Sequence, residues 1–347
     1  MADDKPTLEP LLEWFEALIE GTIGQELETR ALQGLIITKA EKGFIRTEFT
    51  IPSLAADVDG NWHGGAIATL MDIVGAIAIY SVLDHPAKSV DFSISYYSTA
   101  KIEEEVEIEA KVIAEKGKLS LVVVEIRRKR NGELIALGKQ WMATTKDSIN
   151  AAQLKKNILK LCLCHLSFQE PNQRALIIES QHILDAGGLK MEEDAILQKS
   201  LKWLRDLSKG NISHELEALT LEGLQIVHAQ KGSIRCNFVV PTRASDPDGN
   251  WHVGAMATLI DDVAATAIYS VVDHVKLSLD FSISFYSTAK IQEEVEIEAK
   301  VIGEKGSLTQ VVVEVTRKGN RELIALGKQW MASDKKGMKP SQVSSKL

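Results

Sequence analysis

The chain has 347 residues, 45% of them hydrophobic and 25% charged, with a net charge of −8. That length suits two domains of ordinary size, and that balance suits a folded soluble protein rather than a disordered one. The acidic balance leaves no basic footprint for nucleic acid, so any phosphate-bearing ligand must be held locally.

The opening "MADDKPTLEP" lacks the basic-then-apolar order of a secretory signal, which predicts a start in the cytosol. Cys162, Cys164 and Cys236 are too few and too unevenly placed for a disulfide framework, in keeping with a reducing compartment. Apolar residues at helical spacing predict a first helix around Leu8 to Ile19, and "GLIITKAEKGFIRTEFTI" reads as two strands joined at Lys42-Gly43. A polar loop then leads through "HGGAIATLMD" into a long apolar helix. The run from Gly64 to Leu83 carries a single charge and is long enough on paper to cross a bilayer. Asp72 would cost about 2.5–3.5 kcal/mol at a membrane centre, so a helix buried in a soluble core is the better reading. "EVEIEAKV" from Glu105 to Val112 alternates strictly, as a strand with one buried face does. "LSLVVVEIRR" and "ELIALGKQWMA" flank Asn131-Gly132, a hairpin signal. A helix apolar on nearly every side needs a curved sheet around it, so each unit is expected to be α+β: a long central helix wrapped by an antiparallel sheet.

The unit is written twice. Trp14 and Trp203, Trp62 and Trp251, and Trp141 and Trp330 each stand 189 positions apart, with no gap between the first pair and the last. "DFSISYYSTAKIEEEVEIEAKVI" returns as "DFSISFYSTAKIQEEVEIEAKVI", and "ELIALGKQWMA" returns unchanged. Such a period is too long for a solenoid and marks tandem duplication of a whole domain. The expected organisation is a first domain over residues 1–145, a linker over 146–190 without counterpart, a second domain over 191–334 and a polar tail over 335–347. The second unit opens at Met191 much as the first opens at Met1, which suggests a fusion of two neighbouring genes or a joined gene model. The tail ends Ser345-Lys346-Leu347, the tripeptide read by the peroxisomal import receptor, so peroxisomal delivery is expected, with a cytoplasmic location as the alternative.

Gly64 and Gly65 stand where loop becomes helix and can bring backbone N–H groups close to a ligand, as an oxyanion or anion site requires. A tight turn explains a Gly-Gly equally well. Asp72 carries more weight, because a carboxylate among Ala, Leu, Met, Ile and Val is costly unless paired or opened onto a polar pocket, and Asp261 repeats it. Burial raises its pKa and makes it a better base near neutrality. Eight residues of helix span about 12 Å, so Gly64 and Asp72 of one unit cannot both reach one carbonyl carbon. If both kinds of residue act, the site is shared between two units.

With "HGGAIATLMD" followed by "SVDFSISYYSTAK", the chain resembles the hotdog-fold thioesterases, in particular the PaaI-like acyl-CoA thioesterases related to 4-hydroxybenzoyl-CoA thioesterase. The resemblance covers both units apart from the first helix, the linker and the tail. It implies a tandem hotdog chain that hydrolyses acyl-CoA to a carboxylic acid and coenzyme A, without a metal or other cofactor. It implies that Gly64 and its neighbours, Gly65 among them, polarise the thioester carbonyl, that Asp72 activates water or attacks directly, that Ser89 helps hold the water, and that His63 shapes or caps the loop. His252, Gly254, Asp261 and Ser278 stand at the matching positions. It also implies a site across a dimer interface; the two units are expected to pair as a pseudo-dimer within the chain, and chains to form a homo-oligomer. If the pairing is intrachain, the better site joins His63, Gly64 and Gly65 to Asp261 and Ser278 and the poorer one His252 and Val253 to Asp72 and Ser89. Two departures stand out. Val253 replaces the first glycine and brings a β-branched side chain to the second loop. Asp57 and Asp246 stand where the family often has a donor amide for the carbonyl, and an ionised Asp cannot donate.

Other features are weaker. "CLCH" at Cys162 to His165 offers too few soft ligands to predict zinc. His85 and His274 sit in loops, within reach of a coenzyme A phosphate at most, and Arg127, Arg128 and Lys129 with Arg317 and Lys318 read as solvated strand ends. No P-loop, nucleophile elbow or dinucleotide fingerprint is present. Two alternatives to hydrolysis stay open: a hydratase or dehydratase of acyl thioesters on the same fold, and a non-catalytic acyl-CoA binder.

Overall fold

The structure, a computed structural model, describes residues 8–57, 59–83, 87–144, 195–212, 215–272 and 276–333. Cys162, Cys164, His165, His85, His274 and the Ser345-Lys346-Leu347 terminus lie outside them. The first half runs α1 (Glu9–Ile19), α2 (Glu26–Ala31), β1 (Ile36–Glu41), β2 (Phe44–Thr50), α3 (Gly64–Tyr80), β3 (Ala87–Tyr96), β4 (Glu105–Lys116), β5 (Leu119–Arg128) and β6 (Leu134–Thr144). The second half repeats that order as α4 (Ala195–Ser208), α5 (Glu215–Leu221), β7 (Gln225–Gln230), β8 (Ser233–Val239), α6 (Val253–Tyr269), β9 (Lys276–Phe285), β10 (Glu294–Lys305), β11 (Leu308–Arg317) and β12 (Leu323–Ser333). The short helices α2 and α5 have no counterpart in the sequence reading.

Each half is a hotdog: a six-stranded antiparallel sheet packed on a 17-residue helix, α3 or α6. The inward side chains of the strands are branched and fully buried, as Val122, Val124 and Ile126 of β5 are, while every second residue turns outward. Covering a Leu or Ile on α3 contributes about 1.5–3 kcal/mol, so the sheet compensates for a helix whose own surface has almost no polar face. Among the described residues no helix is long and apolar enough to cross a membrane. Gly43, Gly117 and Gly132 close the three first-half hairpins at φ of 77°, 63° and 72°, a conformation that side chains resist.

The two sheets are continuous. β3 pairs antiparallel with β9, giving twelve strands in the order β1-β2-β4-β5-β6-β3-β9-β12-β11-β10-β8-β7. Ser95 donates to Asp280 at 3.1 Å and Ser284 to Asp91 at 2.9 Å across this seam, a pair of reciprocal bonds that mirrors the repeat. On the inner side α3 crosses α6. A Cβ added to Gly65 would lie 2.7 Å from the Cα of Thr258, and one added to Gly254 would lie 2.6 Å from the Cα of Thr69. The crossing therefore exists in this form only because both positions are glycine. Arg243, in the turn after β8, pairs with Glu26 at 2.6 Å, and Arg30 pairs with Glu215, so ion pairs also link α2 to the second half.

Candidate active site

The helix crossing sets the N-terminus of each central helix against the middle of the other. His63 is the N-cap of α3, with its Nδ1 accepting the Gly65 N–H at 3.1 Å, and His252 caps α6 through Gly254 in the same way at 2.9 Å. This corrects the expectation that Gly65 and Gly254 offer their N–H groups to a ligand: those groups are taken by the caps, and the missing side chains serve the helix crossing. No hydrogen bond takes up the N–H of Gly64 among the described residues. A Cβ at Gly64 would sit 3.2 Å from Oδ2 of Asp261 and 3.4 Å from the Tyr96 hydroxyl. The free helix-terminal N–H of one half thus stands beside the buried acid of the other, within a single chain.

Asp261 is 7% exposed and held by one oxygen. Its Oδ1 accepts from Ser278 at 3.3 Å and from the Gln329 amide, which also donates to Ser278 Oγ at 2.8 Å. Its Oδ2 is left facing the Gly64 loop, 3.8 Å from His63 Nε2. Burial raises the Asp261 pKa, with the neighbouring Asp262 adding to the rise against the pull of His63, Gln329 and Ser278. Asp72 is built alike from Ser89 at 3.2 Å and Gln140, and burial raises its pKa too. Gln140 and Gln329 are absent from the sequence reading; the signal was a polar residue on the inward register of "ALGKQWM", between Gly138 and Met142.

Asp57 and Asp246, expected near the carbonyl, do something else. The carboxylate of Asp57 accepts from the backbone N–H groups of Asp59 and Asn61 at 2.9 and 2.8 Å, and Asp246 does the same for Asp248 and Asn250. An acid that cannot donate to a thioester oxygen instead folds the loop ahead of the histidine.

Two further acids come into view. Glu217 on α5 places Oε1 3.4 Å from His63 Nε2, and Glu28 on α2 places Oε1 3.8 Å from His252 Nε2, each reaching from the opposite half. Burial pushes the Glu28 pKa up to about 7 and that of Glu217 up to about 8. Burial opposes charge on His63, while Glu217, Asp262 and Asp261 together outweigh it and raise its pKa. The cap decides which nitrogen stays bare: a proton on Nδ1 would face the Gly65 N–H and undo the cap. The ring proton belongs on Nε2.

That tautomer bears on a metal. His63, Asp261 and Asp262 bring potential ligand atoms within 4.8 Å of one another. With Nδ1 accepting from backbone, Nε2 holds the proton and has no lone pair to give, so this cluster is a poor cation site.

The halves differ at three positions around these acids. Gly64, Tyr96 and Asp262 of the first site become Val253, Phe285 and Ile73 in the second. Tyr96 donates to the Gly64 carbonyl at 3.1 Å, and Asp262 Oδ1 lies 3.4 Å from His63 Nε2; neither partner exists at His252.

Two hotdogs pairing a helix N-terminus with a buried acid define the architecture of a thioester hydrolase. The chain belongs to the thioesterase superfamily, whose sequence model matches residues 59–135 and again 248–324. It is similar to acyl-coenzyme A thioesterase 13 of Homo sapiens, 32% identical over 111 residues that make up 32% of this chain and 79% of that one. In fold it resembles the 12:0-ACP thioesterase from Umbellularia californica, with a TM-score of 0.52 and 10% identity over 84% of this chain and 94% of that one. An acyl-ACP thioesterase from Bacteroides thetaiotaomicron gives 0.50 and 13% over 83% and 98%.

Proposed function

We propose that the protein is an acyl-CoA thioesterase whose working site lies between its two halves, joining His63 and Gly64 to Asp261, Ser278 and Gln329. The observation that carries this reading is Oδ2 of Asp261 lying beside Gly64, whose N–H no hydrogen bond takes up among the described residues. In the reaction the Gly64 N–H, at the positive end of α3, accepts the growing charge on the thioester oxygen. Asp261 Oδ2 takes a proton from a water as the water oxygen bonds to the carbonyl carbon. Collapse of the tetrahedral intermediate breaks the C–S bond, and the proton held by Asp261 passes to the departing thiolate. The products are a carboxylic acid and coenzyme A.

The similarity to acyl-coenzyme A thioesterase 13 supports coenzyme A as the carrier. Val253, Phe285 and Ile73 favour binding without turnover at the second site. A homo-oligomer of chains and delivery to the peroxisome complete the proposal, the latter resting on Ser345-Lys346-Leu347 acting as a free terminus. The test is thiol release from short, medium, long and aromatic acyl-CoAs by the whole chain. Saturable release from at least one class is expected. Folded protein that binds acyl-CoA without releasing thiol, or that yields an unsaturated thioester by mass, contradicts hydrolysis.

A further inference from the structure

His63 meets three carboxyl groups of the other half at its Nε2: Glu217 at 3.4 Å, Asp262 at 3.4 Å and Asp261 at 3.8 Å. Asp261 has a chemical task in the reading above. Glu217 and Asp262 have none, yet their side chains are 5% and 2% exposed, and the second oxygen of each, Oε2 and Oδ2, is buried without a hydrogen-bond partner among the described residues. Two such groups are costly in an apolar interface unless something requires them. Glu217 also lines a small cavity with His63, Ala55, Ala66, Leu27 and Leu216, on the side where α2 and α5 approach the histidine.

What they face is the one N–H on the imidazole. The other ring nitrogen must remain an acceptor, because it caps α3 through the Gly65 N–H. A ring that flipped or changed tautomer would set N–H against N–H, and the first turn of α3 would tilt away from the position that keeps Gly64 beside Asp261. We propose that Glu217 and Asp262 are positioning residues of the Gly64 site: with a carboxyl oxygen of each set 3.4 Å from Nε2 across the domain interface, they hold the ring proton on that side and with it the N-terminal turn of α3. This rests on the reading of that site as the hydrolytic one. It also accounts for the asymmetry of the halves. At His252 the counterpart of Asp262 is Ile73, and Glu28 stands farther off at 3.8 Å, so the second cap has one distant acceptor where the first has two nearer ones.

The test compares two double variants of the full chain. Glu217→Leu with Asp262→Ile removes both acceptors; Glu217→Gln with Asp262→Asn keeps an acceptor oxygen on each side chain. For the first, kcat for acyl-CoA hydrolysis is expected to fall about tenfold with KM little changed, a part of the ~10²–10³ that losing an oxyanion donor costs. The second should retain most of the wild-type kcat. In ¹⁵N-histidine spectra, assigned with His63→Gln, wild type and the Gln/Asn variant should show His63 as a single Nε2–H tautomer, and the Leu/Ile variant should not. If the Leu/Ile chain does not fold, Glu217→Leu alone is judged by the same spectra. An unchanged tautomer without the acceptors overturns the proposal, as does a Gln/Asn variant as damaged as Leu/Ile, which would mean that the acids act through their protons. Full turnover in Asp261→Asn would instead overturn the site reading, and the spectra would still decide the tautomer.

Discussion

Asp261→Asn is expected to lower kcat for acyl-CoA hydrolysis by about 10³-fold, within the range that a general base contributes, while Asp72→Asn changes it less than about threefold. Asn keeps the hydrogen bonds of Oδ1 to Ser278 and Gln329 in shape but cannot take a proton at the oxygen that faces Gly64. KM should move little, because the carboxylate acts on the water rather than on the bound thioester. Asp72 has the same tethers, Ser89 and Gln140, and an equally buried position. The difference lies in what it faces. A branched Val253 occupies the place of Gly64, and Phe285 lacks the hydroxyl with which Tyr96 holds the Gly64 carbonyl. Steady-state thiol release by the two single variants, each checked for an unchanged melting temperature, measures this directly.

Gly65→Ala should be among the most destabilising single-methyl changes in the molecule. Helix propensity alone favours Ala over Gly by about 1 kcal/mol, so on an isolated helix the change would stabilise. Here the new Cβ would stand 2.4 Å from Thr258 Oγ1 and 2.7 Å from the Thr258 Cα. The hydroxyl can rotate, but the backbone of α6 cannot retreat without separating the helices and straining the β3–β9 seam. Overpacking of this kind costs about 1–3 kcal/mol, and an immovable backbone atom places it at the upper end. At about 2–4 °C per kcal/mol, the melting temperature should fall by roughly 10 °C. Gly303→Ala is the control: nothing lies within 4 Å of its added Cβ, and its melting temperature should stay within about 2 °C of wild type. Equal melting temperatures for the two variants would show that the halves do not cross at these glycines.

Much of this was legible in the sequence because it is carried by local patterns. The repeat shows in the spacing of three tryptophan pairs, the strands in alternation such as that of Glu105 to Val112, and the long helix in an apolar run that starts at His-Gly-Gly. The length of α3 already separates Gly64 from Asp72 by more than one carbonyl can bridge. The remainder depends on contacts between residues far apart in sequence. Glu28 and Glu217 sit on short helices of 6 and 7 residues with little periodic signal, and nothing near them in sequence shows that each reaches the histidine of the other half. Gly65 read as a backbone donor because its real neighbour, Thr258, is 193 positions away. Asp57 read as a ligand-facing group because the loop that it folds onto itself has no helical or strand period. The substitutions of Asp262 by Ile73 and Tyr96 by Phe285 are visible once the halves are aligned, but only the helix crossing gives them a meaning.

On the proposed reading, one working site is assembled inside one chain, from the Gly64 loop of the first half and Asp261 of the second. The most direct measurement is thiol release by a complex purified from cells that co-express a Gly64→Val chain and an Asp261→Asn chain under different tags. If each site is built within its own chain, every site carries one lesion or the other, and the mixture should be no more active than the two variants purified alone. If the Gly64 loop of one chain instead works with Asp261 of another, some sites will have both intact parts, and recovery well above the separate variants would rule out an intrachain site.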